Sequence, residues 1–227
     1  MNKPISIAID GPAAAGKSSI ARAIAASLGF IYVDTGAMYR AIGCYALGNG
    51  VATNDAAAVN ALLPEIELDV RYENGEQRIY LNGEDVSVAI RRPEMSMAAS
   101  NVSAIPEVRT FLLEQQRSFA KTQSVVMDGR DIGTVVLPDA TVKFFLTASV
   151  DERTKRRLIE YEEKGQIVKF DDLLEEMIRR DKQDSERAAA PLKQADDAVL
   201  VDNTSFTKEE TLEKMLCVIR EKTGVQL

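Results

Sequence analysis

The chain has no histidine and no tryptophan, only two cysteines, and 6% aromatic residues in a length of 227. Without histidine, no mechanism can use imidazole as base, nucleophile or metal ligand. Cys44 and Cys217 form neither a disulfide framework nor a metal-ligand spacing, and they suit a reducing compartment. No apolar run approaches the roughly 20 residues of a membrane-spanning helix. The segment from Met1 to Asp10 breaks its apolar stretch too early for a secretory signal. Positive charge is the minority: 28 Lys and Arg face 35 Asp and Glu, for a net charge of −7. A dedicated nucleic-acid binder would carry the opposite balance. A cytoplasmic protein is therefore expected, with small-molecule partners rather than nucleic acid or membrane. The same charge, with no long exposed apolar stretch, favours a monomer.

What remains is globular in kind, with 45% hydrophobic and 28% charged residues, which excludes disorder and low-complexity arrays. The length suits one compact core carrying an insertion. Of the basic residues, 16 are Arg and 12 are Lys, a skew toward the planar, bidentate reader of phosphate and carboxylate.

Ile5 to Ile9 reads as a buried strand ending at Asp10, followed by an Ala-rich helix from Ser19 to Leu28 that Gly29 stops. Phe30 to Val33 is a second strand, and Asp34 and Thr35 suit the cap of a helix over roughly 36–47. A short helix is expected over about 55–63 after Asn54. From 65 to 86 the period changes to alternation, with Ile66, Leu68 and Val70, then Ile79 to Leu81. Asn74-Gly75 and Asn82-Gly83 punctuate it as turns of a small antiparallel meander. Helices resume at 93–104 and 106–121, each at a proline suited to a first turn. Ser124–Met127 and Val142–Leu146 return to buried strands, the first ending at Asp128. Ser149-Val-Asp-Glu152 reads as a capping box for a charged helix to about Lys164. A second charged helix runs from near Asp171 to Arg187, then a strand at 198–201 and a terminal helix capped by Thr207 and Glu210. Strands alternating with helices imply a three-layer α/β/α fold on a central parallel sheet. The core is expected over 1–50, 105–150 and 190–227, with an inserted β lobe at 51–104 and a helical lid at 151–189.

Gly11-Pro12-Ala13-Ala14-Ala15-Gly16-Lys17-Ser18 fits the phosphate-binding pattern G-x-x-x-x-G-K-[ST], after a strand and opening a helix. Successive backbone N–H groups and the helix N-terminus make a concave positive site for phosphate oxygens. Lys17 reaches the β/γ-phosphates, and a hydroxyl at Ser18 or Ser19 can orient Mg²⁺. Asp128, Arg130 and Asp131 stand at the carboxyl end of a core strand, where ligands sit in open α/β sheets. Asp128 is placed to manage Mg²⁺ through water, although Asp and Gly after a strand are also common turn residues. Arg180, Asp184 and Arg187 share a helical face; the same spacing makes ordinary ion pairs. Arg153 and Arg157 are like charges at i,i+4, and Glu152 and Glu160 can neutralise Arg156 but leave those two under-compensated. Two such helices joined through Gly165 suit a lid that closes over triphosphate.

Ile9 to Lys17, Asp34-Thr-Gly-Ala-Met-Tyr-Arg40, Asp128-Gly-Arg-Asp-Ile-Gly-Thr134 and Arg187-Ala-Ala-Ala-Pro-Leu192 together resemble the bacterial cytidylate kinase family. That family lies within the nucleoside-monophosphate kinases, and the likeness extends over essentially the whole chain, meander included. The resemblance implies an ATP-dependent kinase of CMP or dCMP in which Thr35, Tyr39, Arg40 and Arg130 surround the acceptor phosphate. It implies that Ser100, Arg109, Asp131 and Arg187 read cytosine, and that Asp184, with Arg180 beside it, reaches the ribose. Arg153 and Arg157 would belong to the lid over ATP. Some relatives have Gly-Thr where this chain has Ser18-Ser19, so the hydroxyl that serves Mg²⁺ stays open between the two.

An acceptor phosphate is already anionic near neutrality, with a second pKa of about 6. It needs no enzymic base, which a histidine-free, Arg-rich chain accommodates. The nearest rival is a kinase of an alcohol such as shikimate or a sugar, with Asp34 or Asp131 as its base. A GTP-binding switch would need an Asn-Lys-x-Asp guanine reader after a later strand, and none is there. A nucleic-acid-remodelling ATPase is disfavoured by the acidic balance and the short length.

Overall fold

β1 (Ser6–Asp10) forms the centre of a five-stranded parallel sheet in the computed structural model, which describes residues 3–225 apart from 74 and 164. The strand order is β2 (Ile31–Asp34), β6 (Val125–Gly129), β1, β7 (Val142–Thr147) and β8 (Val199–Asp202). Asp10 pairs in register with Gly129 and, on the other side, with Phe145. All five residues of β6 are buried, as expected of an apolar strand covered on both faces. It continues through Asp128 to Gly129 rather than ending at the aspartate.

Two compact units share the chain, one holding residues up to Tyr32 and from Ala120 onward, the other Val33–Phe119. In the first, α1 (Lys17–Leu28) buries Ile20, Ala21, Ile24 and Ala25 at helical spacing and ends at Gly29, whose φ of 66° is left-handed. These side chains join Ile7, Ile9, Phe144 and Leu146 of the sheet and Met215 and Ile219 of α8 (Lys208–Thr223) in one core. α8 opens with the expected capping box, Thr207 and Glu210 each accepting from the other's backbone N–H. Only half of the box expected at Ser149 forms. Ser149 Oγ accepts from Glu152 N, but Ser149 N donates to Thr204 Oγ1 and the Glu152 carboxylate turns to Arg156. α6 (Val150–Glu163) and α7 (Phe170–Glu186) pack together, and the apolar side chains they bury are Tyr161, Leu173 and Met177. The expected end of α6 at Lys164 lies outside the described residues.

In the second unit, Asp34 caps α2 (Thr35–Gly48) by accepting from Ala37 N. Asp55 caps α3 (Ala56–Leu62), which starts just after Asn54 as expected, by accepting from Ala58 N. β3 (Leu68–Glu73) pairs antiparallel with β4 (Glu76–Leu81), which pairs with the two-residue β5 (Glu84–Asp85). Asn82 and Gly83, at φ 49° and 84°, make the second turn as expected of an Asn-Gly pair. Asn74 of the first turn lies outside the described residues. α4 (Met95–Ser103) and α5 (Pro106–Thr122) follow, and Met38, Ile42, Ile79, Ile90, Val102 and Leu112 form this unit's core.

Candidate active site

The phosphate loop begins where β1 ends. Gly11 is required there: its φ is 150°, and a Cβ would overlap the Leu146 carbonyl oxygen of β7. Gly16, at φ 86°, turns the chain into α1, whose first residue is Lys17. Lys17 is buried, and its Nζ donates to the Pro12 carbonyl at 2.6 Å. Burial lowers its pKa well below the usual lysine value, and the charges of Arg130 and Arg180 push the same way against Asp128 and Asp10. An ammonium so disfavoured is matched to an incoming polyanion. Ser18 Oγ donates to Asp128 Oδ2 at 2.9 Å, and the Tyr32 hydroxyl donates to Asp128 Oδ1 at 2.8 Å. Ser19 is exposed.

Past β6, Arg130 Nε donates to Asp184 Oδ2 at 2.9 Å, and Arg187 Nη2 stands 3.5 Å from Asp131 Oδ1. Thus the loop after β6 and the end of α7 interlock through two acid–arginine pairs, in addition to the charges of Arg180 and Arg187 that act on Asp184 from α7 and its end. Burial works to raise the pKa of Asp184, but Arg130, Arg180 and Arg187 outweigh it and hold the carboxyl below its usual range.

Arg153 and Arg157 are compensated, contrary to the expectation from α6 alone. Arg153 is buried; its Nη2 meets Asp181 of α7 at 2.7 Å, while its Nε and Nη1 donate to the carbonyls of Ala148 and Ala13. Arg157 pairs with Glu160 at 2.8 Å and lies over the Tyr161 ring. Arg156 takes Glu152 and both oxygens of Asn203, whose Nδ2 in turn donates to the Ala15 carbonyl. Arg153 and Asn203 therefore tie α6 to the carbonyls of the phosphate loop.

In the second unit, Asp34 Oδ2 accepts from Arg40 Nη2 at 2.8 Å and stands 3.7 Å from Arg91 Nη2. Burial would raise the pKa of Asp34, but Arg40, Arg91 and the Ala37 N–H together lower it. Gln77 of β4 grips the same residue through its backbone, Oε1 accepting from Asp34 N at 2.7 Å and Nε2 donating to Asp34 O at 3.2 Å. Arg109 of α5 lies over the Tyr39 ring and donates to the Ser103 carbonyl, while Ser103 Oγ donates to the Ser100 carbonyl. Thr35, Tyr39, Ser100 and Arg109 are all buried.

Sequence reasoning missed several of these contributors. Asp10, Tyr32, Asp181 and Asn203 act through partners distant in sequence, and Gln77 sits in a strand whose alternation reads as packing. Only Asp10 carried a local signal, as a carboxylate at a strand end directly before the phosphate loop.

A phosphate loop leaving the central strand of a parallel sheet, with a buried lysine, a hydroxyl–carboxylate pair and arginines at the neighbouring strand end, defines a P-loop phosphotransferase. Comparison with known proteins narrows the class. The family described as cytidylate kinase matches residues 7–221. The chain is 51% identical over 223 residues to a cytidylate kinase of Bacillus licheniformis, covering 98% of this chain and 99% of that one. It is 49% identical over 214 residues to one of Caldicellulosiruptor bescii, covering 94% and 95%. A solved structure of an uncharacterized protein from Eubacterium ventriosum shares the fold at a TM-score of 0.55, with 16% identity over 96% of this chain and 99% of that one. The chain belongs to the cytidylate kinase family.

Proposed function

We propose that the protein transfers the γ-phosphoryl group of ATP to CMP or dCMP, giving ADP and CDP or dCDP. The observation that carries this reading is the buried Lys17 behind a phosphate loop, in a chain about half identical to cytidylate kinases over nearly its whole length. Residues 11–19 would cradle the donor phosphates, with Lys17 at the β/γ end. Thr35, Tyr39, Arg40 and Arg130 would neutralise the acceptor phosphate. Ser100, Arg109, Asp131 and Arg187 would read cytosine, and Arg180 and Asp184 would orient the ribose. The inserted lobe at 51–104 and the helical lid at 151–189 would close on the two nucleotides, Arg153 and Arg157 adding charge from the lid.

The donor set fits Mg²⁺, a hard cation that binds through oxygen, few protein ligands and substrate phosphates. Ser18 Oγ and the Asp128 carboxylate supply such oxygens side by side, and among the described residues no group of three or more His, Cys, Asp or Glu could cage a metal. Ser18 rather than exposed Ser19 would be the hydroxyl that serves it. When bound, the ion would neutralise charge on the β- and γ-phosphates.

The attacking oxygen belongs to a phosphate that is already deprotonated, so the chain's work is alignment and charge. The carboxylates support that reading over the alcohol-kinase one. Asp34 is held ionised by Arg40 and Arg91 and is correspondingly weak as a base, and Asp131 faces Arg187. No helix among the described residues is long and apolar enough to cross a membrane; separately, the net charge of −7 favours a monomer serving small nucleotides. The test is coupled ADP release with Mg-ATP and a panel of CMP, dCMP, UMP, AMP, GMP and shikimate. Turnover strongest with CMP and dCMP is expected. ATP binding with no turnover of any monophosphate would overturn the proposal.

A further inference from the structure

Asp10 closes β1 one residue before Gly11, and no step above uses it. Its side chain is buried, and its two oxygens accept from adjacent peptides: Oδ1 from Ile132 N and Oδ2 from Gly133 N, both at 2.7 Å. One bond would fix a distance; two parallel bonds to one carboxylate also fix the tilt of the peptide pair. Those peptides open a single π-helical turn, Ile132–Val136, that directly follows Arg130 and Asp131. Such turns recur at functional sites.

Gly133 belongs to the same device. A Cβ there would stand 3.3 Å from Asp10 Oδ2 and 3.1 Å from Lys143 Cδ. Lys143 is itself buried in β7 and anchored by its Nζ to Asp197 at 2.8 Å. A side chain at 133 would therefore crowd both the carboxylate and the Lys143 stem, which would have to give by a few tenths of an ångström. Asparagine cannot replace Asp10 either, because its single carbonyl oxygen meets only one N–H and its amide nitrogen would face the other.

We propose that Asp10 is a positioning residue for phosphoryl transfer, its carboxylate fork locking the Arg130–Asp131 loop to the root of the phosphate loop. Through that loop the fork reaches Asp184 and Arg187, the partners of Arg130 and Asp131. Residues assigned to the acceptor are thereby held in register with residues assigned to the donor. A misplacement of the order of 1 Å at such a junction costs about a hundredfold in rate.

The inference rests on the kinase reading, so its test includes a readout independent of turnover. Asp10→Asn and Gly133→Ala are compared with the parent at pH 8 by amide hydrogen exchange at residues 132 and 133, ATP binding by calorimetry, and coupled kinetics with CMP. For Asp10→Asn, faster exchange is expected, with kcat down about 10- to 100-fold, KM for CMP raised several-fold and ATP affinity within about threefold. Gly133→Ala, which leaves the carboxylate intact, should show the same pattern more weakly. It decides the matter alone if Asp10→Asn does not fold. Unchanged exchange, kinetics within about twofold of the parent, or equal losses for ATP and CMP would overturn the role. If the parent itself turns over no monophosphate, the kinase reading fails, while the exchange data still report on the fork.

Discussion

Asp10 and Asp34 each close a strand of the sheet, are 4% and 5% exposed, and spend both carboxylate oxygens on the protein. Burial presses both toward the neutral acid. Asp10 has two peptide N–H groups as partners, and its pKa is pushed up to about 7. Asp34 has one peptide N–H and the guanidinium of Arg40, with Arg91 nearby, and its pKa falls below the usual value. Dipoles orient a carboxylate, whereas full cations keep it ionised. Asp34 is thus a permanent anion that anchors arginines, while Asp10 is a geometric clamp balanced near neutrality.

The cation nearest in effect to Asp10 is Lys17, and it does not reverse the shift as Arg40 does for Asp34. Lys17 is buried too, and Arg130 and Arg180 already disfavour its charge. The contrast breaks most sharply at this residue. Lys17→Ala should lower kcat by about a thousandfold or more, since on the proposed kinase reading it removes the charge that would meet the transferred phosphoryl group. It should leave the melting temperature nearly unchanged, because the fold gains little from an ammonium it disfavours. Near-normal turnover in the coupled assay would remove the role of the phosphate loop.

The two shifts have opposite signs in stability as pH changes. Between about pH 4 and 7 folded Asp10 keeps a proton that the unfolded chain has released, so its contribution to stability falls as pH rises through that window. A shift from 3.8 to about 7 corresponds to at most about 4 kcal/mol. Asp34 behaves inversely: its contribution is present above about pH 4 and is lost as pH falls through its lowered native pKa. Lys17 from α1 and Asp131 beside the clamp are the charged groups that act on Asp10, while Lys143 from β7, whose stem lies near Gly133, has its ammonium paired with Asp197. Urea melts at pH 4.5, 6 and 8 should therefore show Asp10→Asn losing much of the decline seen in the parent. Parallel profiles would mean that Asp10 is not the group responsible. On the proposed positioning role, activity is expected to run the other way, rising with pH as Asp10 ionises and its two-pronged clamp forms.

Asp34→Ala is expected to be milder. Losing the α2 cap costs about 1 kcal/mol, and leaving Arg40 and Arg91 without their shared anion adds a similar amount once solvent screening is counted. A loss of about 2 kcal/mol in urea melts, with KM for CMP raised about tenfold, is the expected outcome. An unchanged KM would separate the Asp34–Arg40 pair from acceptor binding.

What could be read in advance follows how far apart the interacting residues stand in sequence. The phosphate loop, the α1 stop at Gly29, the Asn82-Gly83 turn and the Thr207 cap depend on neighbours within a few residues, and all are legible. The compensation of Arg153 is not, because Asp181 reaches it from another helix. Nor is the clamp at Asp10, whose partners lie 122 and 123 residues away. Helical spacing placed Arg180, Asp184 and Arg187 close together along the chain, yet Arg130 as partner of Asp184 and Asp131 as partner of Arg187 are supplied by the fold. Local chemistry names the charged residues of this site; topology decides whom they meet.

Gln77 offers the finest test of the contrast, because it holds Asp34 by its peptide without any charge. Its amide accepts from Asp34 N and donates to Asp34 O, so it fixes the backbone from which the Arg40 anchor projects. Gln77→Leu would remove both amide contacts to the Asp34 peptide groups at a cost of about 1 kcal/mol. KM for CMP should rise a few-fold while kcat and KM for ATP stay put. Since a neutral amide does not titrate, the effect should be constant from pH 5 to 9, unlike that of Asp10→Asn. A Gln77→Leu defect that varied with pH across this range would show that the amide acts by altering the charge balance of Asp34, Arg40 and Arg91, and not by geometry alone.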